Sequence, residues 1–287
     1  MPTSTLEIVS EHACFGGVQR FYSHHSKEIG LSMRFSVFLP PQARDGKVPA
    51  LMYLAGLTCT EETFMTKGGA QRVAAEKGLM LIAPDTSPRG ANFPGEAESW
   101  DFGLGAGFYV DATETPWKQH YRMYSYVLEL LELIKENLPV QPSSIGITGH
   151  SMGGHGALVL ALRNPTLFKS VSAFAPICAP IQCPWGVKAF SGYLGSDQHT
   201  WRQYDASLLM EQQTAPFPGG ILIDQGLNDK FLPSQLFPEA FEAACEKARQ
   251  PLELRRQAGY DHGYYFISTF VEDHLRFHHR QLNGAAR

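Results

Sequence analysis

A serine held between glycines is the residue of this chain best placed to do chemistry. Gly149-His150-Ser151-Met152-Gly153-Gly154-His155-Gly156 follows one apolar run, Ser144-Ile145-Gly146-Ile147-Thr148. It precedes another, Ala157-Leu158-Val159-Leu160-Ala161-Leu162-Arg163. The first run reads as a buried strand and the second as a largely buried helix, so the serine falls at a strand-to-helix junction. Gly-x-Ser-x-Gly at such a junction is the pattern of a nucleophile elbow. Gly149 and Gly153 lack a β-carbon where strand and helix nearly touch, and the serine is pinned in a strained backbone conformation. The helix begins at about Ser151, so its free N–H groups face any oxyanion formed there.

A serine hydroxyl is a weak nucleophile without a base, and this elbow is followed in chain order by an acid and then a histidine. Of the eleven histidines, His262, His274, His278 and His279 lie beyond the strand expected at residues 220–224. His262, in Gly259-Tyr260-Asp261-His262-Gly263-Tyr264, sits between the last strand and the last helix and is read as the base. His274, His278 and His279 share the closing helix with Arg276 and Arg280 and read as a solvated face. His150 and His155 flank the serine and are expected to shape its turn by hydrogen bonding. Two carboxylates compete for the acid. Asp224 ends its strand and reads as a loop-fixing group. Asp229 lies further out in the following loop, where a triad acid reaches its base, and is preferred. Asp261, beside the histidine in sequence, is expected to point elsewhere. The oxyanion donors are read as the N–H of Met152 and the N–H of Leu57 in Gly56-Leu57-Thr58.

The elements that must hold these groups alternate along the chain. Residues 5–55 carry alternating and apolar runs broken by glycine and proline, the antiparallel start of a sheet. Strands then recur at residues 78–84, 144–148, 170–174, 220–224 and 251–256. Helical periodicity appears at residues 69–77, 117–137, 157–163, 233–249 and 263–281. Alternating βα units with apolar strands predict a mostly parallel sheet covered by helices on both faces, in a single domain over residues 1–287. Residues 85–115 and 175–213 are rich in Gly, Pro, Ser and aromatics and read as long functional loops outside the carboxyl ends of the strands.

Composition narrows the partners. The 287 residues are 44% hydrophobic and 18% charged, with a formal net charge of −4, the profile of an ordinary globular protein with no nucleic-acid or anionic-membrane partner. No apolar run is long enough to cross a membrane, and the first residues lack the marks of a signal peptide. The five cysteines (Cys14, Cys59, Cys178, Cys183 and Cys245) are odd in number and scattered. That pattern predicts reduced thiols, no zinc site and a cytoplasmic location.

Several longer stretches match a known family. They are Leu54-Ala55-Gly56-Leu57-Thr58-Cys59-Thr60, Ala83-Pro84-Asp85-Thr86-Ser87-Pro88-Arg89-Gly90, Glu98-Ser99-Trp100-Asp101-Phe102-Gly103 and Cys183-Pro184-Trp185-Gly186. With the elbow and the histidine segment, the chain resembles the S-formylglutathione hydrolases, or esterase D family, from Cys14 to the last helix. Ala55 and Leu104 are small departures away from the chemistry. The resemblance implies an α/β-hydrolase fold and cleavage of the thioester S-formylglutathione to formate and glutathione in formaldehyde detoxification. It implies Ser151, Asp229 and His262 as the triad, no cofactor, a homodimer or higher oligomer, and Cys59 near the site.

Without the resemblance, the residues reach only a serine hydrolase of esters or thioesters. A broader carboxylesterase or an acyltransferase shares the elbow, and a hydrolase fold reduced to a binding module is disfavoured by the intact triad. Trp100, Phe102, Tyr109, Trp185 and Phe190 are candidates to line the pocket. Lys67, Arg89, Lys118 and Lys188 are candidates to meet the carboxylates of glutathione, and the sequence does not rank them.

Overall fold

Nine strands pair into one sheet, in the spatial order β1-β2-β3-β5-β4-β6-β7-β8-β9. They are β1 (Glu7–Cys14), β2 (Gly17–His25), β3 (Ser32–Leu39), β4 (Val48–Leu54), β5 (Met80–Pro84), β6 (Val140–Gly149), β7 (Ser170–Phe174), β8 (Ile221–Gly226) and β9 (Leu252–Gln257). This computed structural model describes residues 6–284; residues 1–5, read above as lacking a leader, lie outside the described residues. The first three strands and the β3–β5 pair are antiparallel, and from β5 to β9 every pair is parallel. An antiparallel start and a parallel body are both observed, but the start expected over residues 5–55 ends with β3, since β4 already pairs parallel with β5 and β6.

Burial follows pairing. β5, β7 and β8 are buried along their whole length, as strands covered on both faces must be. The edge strand β1 is largely exposed. The helices are α1 (Glu61–Lys67), α2 (Gln71–Lys77), α3 (Met123–Asn137), α4 (Met152–Arg163), α5 (Pro184–Leu194), α6 (Gln198–Trp201), α7 (Ala206–Glu211), α8 (Pro238–Ala248) and α9 (Tyr264–Asn283). Among the described residues no helix is long and apolar enough to cross a membrane.

Three of the differences from the sequence reading have a clear local reason. The helix expected at residues 117–137 starts only at Met123. Ahead of it, the Asp111 carboxylate accepts the N–H and the hydroxyl of Ser125 at 2.9 and 2.5 Å, a side-chain cap that fixes the start. Residues 175–213, expected as loop, contain α5, α6 and α7, short helices hidden by glycine and proline. α5 opens with Pro184 at its first position and with Cys183 Sγ accepting from the Gly186 N–H. The helix expected from residue 233 starts at Pro238, because Phe237 adopts a left-handed conformation (φ 50°) that breaks it from the wider turn at Leu232–Leu236.

The register of β4 on β6 sets up the site. Leu54 lies opposite Gly149, so the two strands end side by side. The loop after β4 and the elbow after β6 therefore open at one place, beyond the carboxyl ends of the strands.

Candidate active site

Ser151 joins β6 to α4 in a conformation few residues adopt, φ 57° and ψ −119°. Backbone bonds hold it there. Its N–H donates to the Phe174 carbonyl at the end of β7 (2.9 Å), and its carbonyl accepts from His155 and Ile177. The glycines at the crossing have no substitute. A β-carbon on Gly153 would sit 1.9 Å from the Leu54 carbonyl oxygen, and one on Gly149 would sit 2.2 Å from that of Gly153. Helix α4 can approach β4 this closely only without side chains at those positions. Met152 is the first residue of α4, so its N–H has no acceptor within the helix.

The residues expected as base and acid arrive from the other side. His262 lies in the turn before α9, and its Nδ1–H donates to Asp229 Oδ2 at 2.5 Å. Asp229, on the loop after β8, is buried and further held by the Phe231 N–H (2.8 Å) and Gln225 Nε2 (3.3 Å). With Nδ1 committed, Nε2 of His262 is the free ring nitrogen. His262, Ser151, Leu57 and Cys59 line one cavity of about 120 Å³, with Gly56, Trp100, His150, Trp185, Phe231 and Tyr264. A larger cavity, about 530 Å³, runs behind the β4 loop among Arg34, Glu61, Asp85 and Arg89 and holds none of the three groups.

The loop that carries Leu57 is anchored at three points. The Tyr109 hydroxyl donates to the Ala55 carbonyl (3.0 Å), and the Thr58 N–H donates to the Gly105 carbonyl (2.9 Å). Thr86 Oγ1 (2.5 Å) and Arg89 Nη2 (3.0 Å) both donate to the Cys59 carbonyl. Arg89 is in turn gripped by both oxygens of Asp85. These anchors escape a reading by motif, because side chains bonded to backbone leave no spacing signature; the run from Asp85 to Arg89 was the only hint.

Several expectations need correction. Arg89 is committed to Asp85 and Cys59 rather than free for a substrate carboxylate, and Tyr109 is an anchor, not a wall. Lys188 is held by Asp101 and by Ser99 Oγ. Lys118 does not line the cavity. Phe102 is not among the cavity residues; its ring stacks on Tyr193 at 4.5 Å and meets Trp117 edge-on. Phe190 is fully buried against Phe108 and Trp201. Trp100 and Trp185 do line the cavity, in a T-shaped pair 5.5 Å apart. Cys59 lines it as well, half-buried, and burial raises its thiol above the ordinary range, which keeps it protonated. Asp261 points away as expected, accepting the Gly263 N–H at 2.8 Å.

The histidines differ most from the reading. His274 and His278 are fully buried, not a solvated face. They form a polar row under the sheet. Asp224 Oδ2 lies 3.0 Å from His274 Nε2, whose Nδ1 lies 2.8 Å from Ser172 Oγ; His278 then bridges Ser172 and Ser170 at 2.8 and 2.6 Å. Asp224 also takes Arg255 and Gln257. Burial pulls its carboxyl up, but the His274 and Arg255 hydrogen bonds prevail and hold it down at about 2. Burial keeps both rings neutral, lowering His274 and, more strongly, His278. Asp224 is thus a core anion rather than a loop fastener. The missed signal was the spacing, since residues 267, 271, 274, 275, 278 and 282 form one buried stripe of α9. His155 donates to the Phe108 carbonyl (3.0 Å), whereas His150 packs against the His262 ring, centres 4.5 Å apart, without a hydrogen bond of ordinary geometry.

The chain matches the family described as Putative esterase over residues 26–277. It is 56% identical to S-formylglutathione hydrolase of Rattus norvegicus over 281 residues, 97% of this chain and 99% of that protein. It is 52% identical to the enzyme of that name from Paracoccus denitrificans, covering 98% and 99%. The solved S-formylglutathione hydrolase of Agrobacterium tumefaciens superposes with a TM-score of 0.93 at 48% identity, over 96% of this chain and 99% of that one. A ferulic acid esterase at 19% identity and a TM-score of 0.72 shares the fold alone. A family match over most of the chain and relatives more than half identical from end to end place this protein in the esterase family, among the S-formylglutathione hydrolases.

Proposed function

We propose that this protein is a serine thioesterase that hydrolyses S-formylglutathione to formate and glutathione. Ser151 is the nucleophile, His262 the base and Asp229 the group that orients the base. The observation that carries the reading is the Asp229–His262 hydrogen bond beside a small cavity that His262 and Ser151 both line. Nε2 of His262 takes the Ser151 hydroxyl proton as Oγ attacks the formyl carbon. The Leu57 and Met152 N–H groups receive the negative oxygen. Collapse expels the glutathione sulfur, which takes the proton from His262. Water, activated by the same ring, then releases formate from the formyl-serine. A cavity of about 120 Å³ lined by Trp100, Trp185 and Phe231 suits a one-carbon acyl group.

Steady-state comparison of S-formylglutathione, S-lactoylglutathione and an aryl acetate tests the substrate. The formyl thioester should be turned over much faster than the others; equal or slower turnover would leave a serine hydrolase of a different ester. His262→Ala should lose several orders of magnitude in kcat with folding intact. Near-normal turnover in that variant would move the base elsewhere. A cytoplasmic homodimer or higher homo-oligomer is part of the same reading, and sedimentation of the purified protein tests the assembly. No observation favours the broader carboxylesterase or the acyltransferase.

A further inference from the structure

The catalytic cavity, about 120 Å³, is far smaller than the roughly 300–1,000 Å³ that encloses a drug-sized ligand. A tripeptide thiol leaving group must therefore lie outside it. One wall of the cavity, the Tyr264 ring, is also a wall of a second depression of about 460 Å³, lined by Lys67, Tyr265 and Ser268 as well. The depression runs between the last residue of α1, which follows the Leu57 loop, and the first turn of α9, which follows His262.

Its chemistry is that of a carboxylate site. Lys67 is exposed at the end of α1, its ammonium 6.0 Å from the centre of the Tyr264 ring, and it has no ion pair among the described residues. Of the other cations near the cavity, two are held by hydrogen-bonded partners, and the third, like Lys67, meets only a ring but does not line the depression. Lys188 is bound by Asp101 and Ser99, Arg89 by Asp85 and Cys59, and Lys230 lies 4.9 Å over the Phe231 ring. Tyr265 is 88% exposed, a large aromatic face left open to solvent beside that cation. A free ammonium, a ring and the Ser268 oxygen, which donates its proton to the Tyr265 carbonyl at 3.2 Å and keeps its lone pairs, offer a charged partner, a flat contact and an acceptor for a peptide N–H.

We propose that this groove is the leaving-group subsite, with Lys67 receiving a carboxylate of glutathione while its sulfur reaches Ser151 past Tyr264. The proposal rests on the thioesterase reading above and names how that reaction selects its thiol. Lys67 binds substrate and takes no part in proton transfer, so its effect belongs in KM rather than in kcat.

The test compares wild type, Lys67→Met and Lys67→Arg on S-formylglutathione and on S-formyl-N-acetylcysteamine, a formyl thioester without carboxylates. Lys67→Met should raise KM for S-formylglutathione roughly two- to fivefold, the range of an accessible charge pair. Lys67→Arg should restore most of the loss. Free glutathione should inhibit Lys67→Met more weakly by the same factor, and added salt should raise the wild-type KM more than that of Lys67→Met. The wild-type preference for the glutathione thioester over the cysteamine thioester should shrink accordingly. An unchanged KM for S-formylglutathione in Lys67→Met, or an equal rise on both thioesters, would overturn the subsite. A wild-type enzyme that does not prefer S-formylglutathione over aryl acetate would instead overturn the thioesterase reading itself.

Discussion

Lowering the pH from 7 to 4.5 should remove most of the stability that depends on neutral His155. This ring is fully buried beside Phe108 and Phe190, and its Nε2–H donates to the Phe108 carbonyl at 3.0 Å. Burial pushes its pKa down to about 4, against 6.5 for a free histidine, the Phe108 bond offsetting only part of the shift. Because the folded value is depressed, the contribution is present above pH 6.5 and is lost as the pH falls toward 4. In that window the unfolded chain binds a proton that the fold refuses. At about 1.4 kcal/mol per pH unit the gap is worth about 3 kcal/mol, of which about 2 kcal/mol is lost by pH 4.5.

Wild-type stability alone does not isolate this effect. Asp205, pushed up to about 6 mainly by burial, titrates the opposite way: its contribution is present below 3.8 and is lost as the pH rises through 6. The comparison with His155→Gln cancels Asp205 and every other shared group. Glutamine keeps a donor for the Phe108 carbonyl but does not titrate. Urea unfolding followed by tryptophan fluorescence at pH 7, 6, 5 and 4.5 gives the difference directly. The wild-type advantage should shrink by about 2 kcal/mol over that range. A difference constant with pH would refute the claim that His155 is held neutral by the fold.

Three further outcomes follow from the same geometry. Asp229→Asn should lower kcat by roughly 10⁴ with little change in the melting temperature, whereas Asp224→Asn should destabilise by roughly 3–5 kcal/mol and leave the kcat of the folded fraction nearly intact; steady-state kinetics beside thermal melts separates the two, and the reverse pattern would exchange their roles. Gly153→Ala should yield no folded protein by circular dichroism, since its β-carbon would lie 1.9 Å from the Leu54 carbonyl oxygen and 2.5 Å from that of Ala55, both backbone atoms of the central sheet. Thr86→Val removes one of two donors to the Cys59 carbonyl and should lower kcat severalfold with KM nearly unchanged; a pure KM effect would show that the Leu57 loop serves binding instead.

How far the sequence reaches depends on what kind of contact carries each feature. The strand at residues 170–174 is read to the residue, because a fully apolar run between turn signals has no other comfortable fate. Chain order and the strand–turn–helix setting single out Ser151, His262 and Asp229 in the sequence; the structure brings His262 and Ser151 to one cavity and bonds Asp229 to the ring. Phe102 and Trp185 are indistinguishable in sequence, two aromatics in glycine-rich stretches. Only the tertiary stacking of Phe102 on Tyr193 turns it inward. His274 and His278 are misread because a polar residue on a helix with arginines suggests water, while their partners, Asp224, Ser170 and Ser172, come from β7 and β8, roughly 50 to 110 residues earlier in the chain. A buried polar row is invisible until the strands that satisfy it are in place.

That row has a consequence for recognising enzymes by shape. Asp224, His274 and Ser172 repeat the acid, ring and hydroxyl of the active group, with contacts of 3.0 and 2.8 Å. The ring is reversed, Nε2 on the carboxylate and Nδ1 on the hydroxyl. Three side chains matched by type alone would therefore retrieve two places in this one chain. One of them has no opening for a carbonyl, since Ser172 is sealed between strands. The other lines a cavity and is followed at once by the unpaired first N–H of a helix. A template that includes the empty space and the backbone donors retrieves only Ser151; what separates the proposed reactive set from its double is access, not the identity of the three residues.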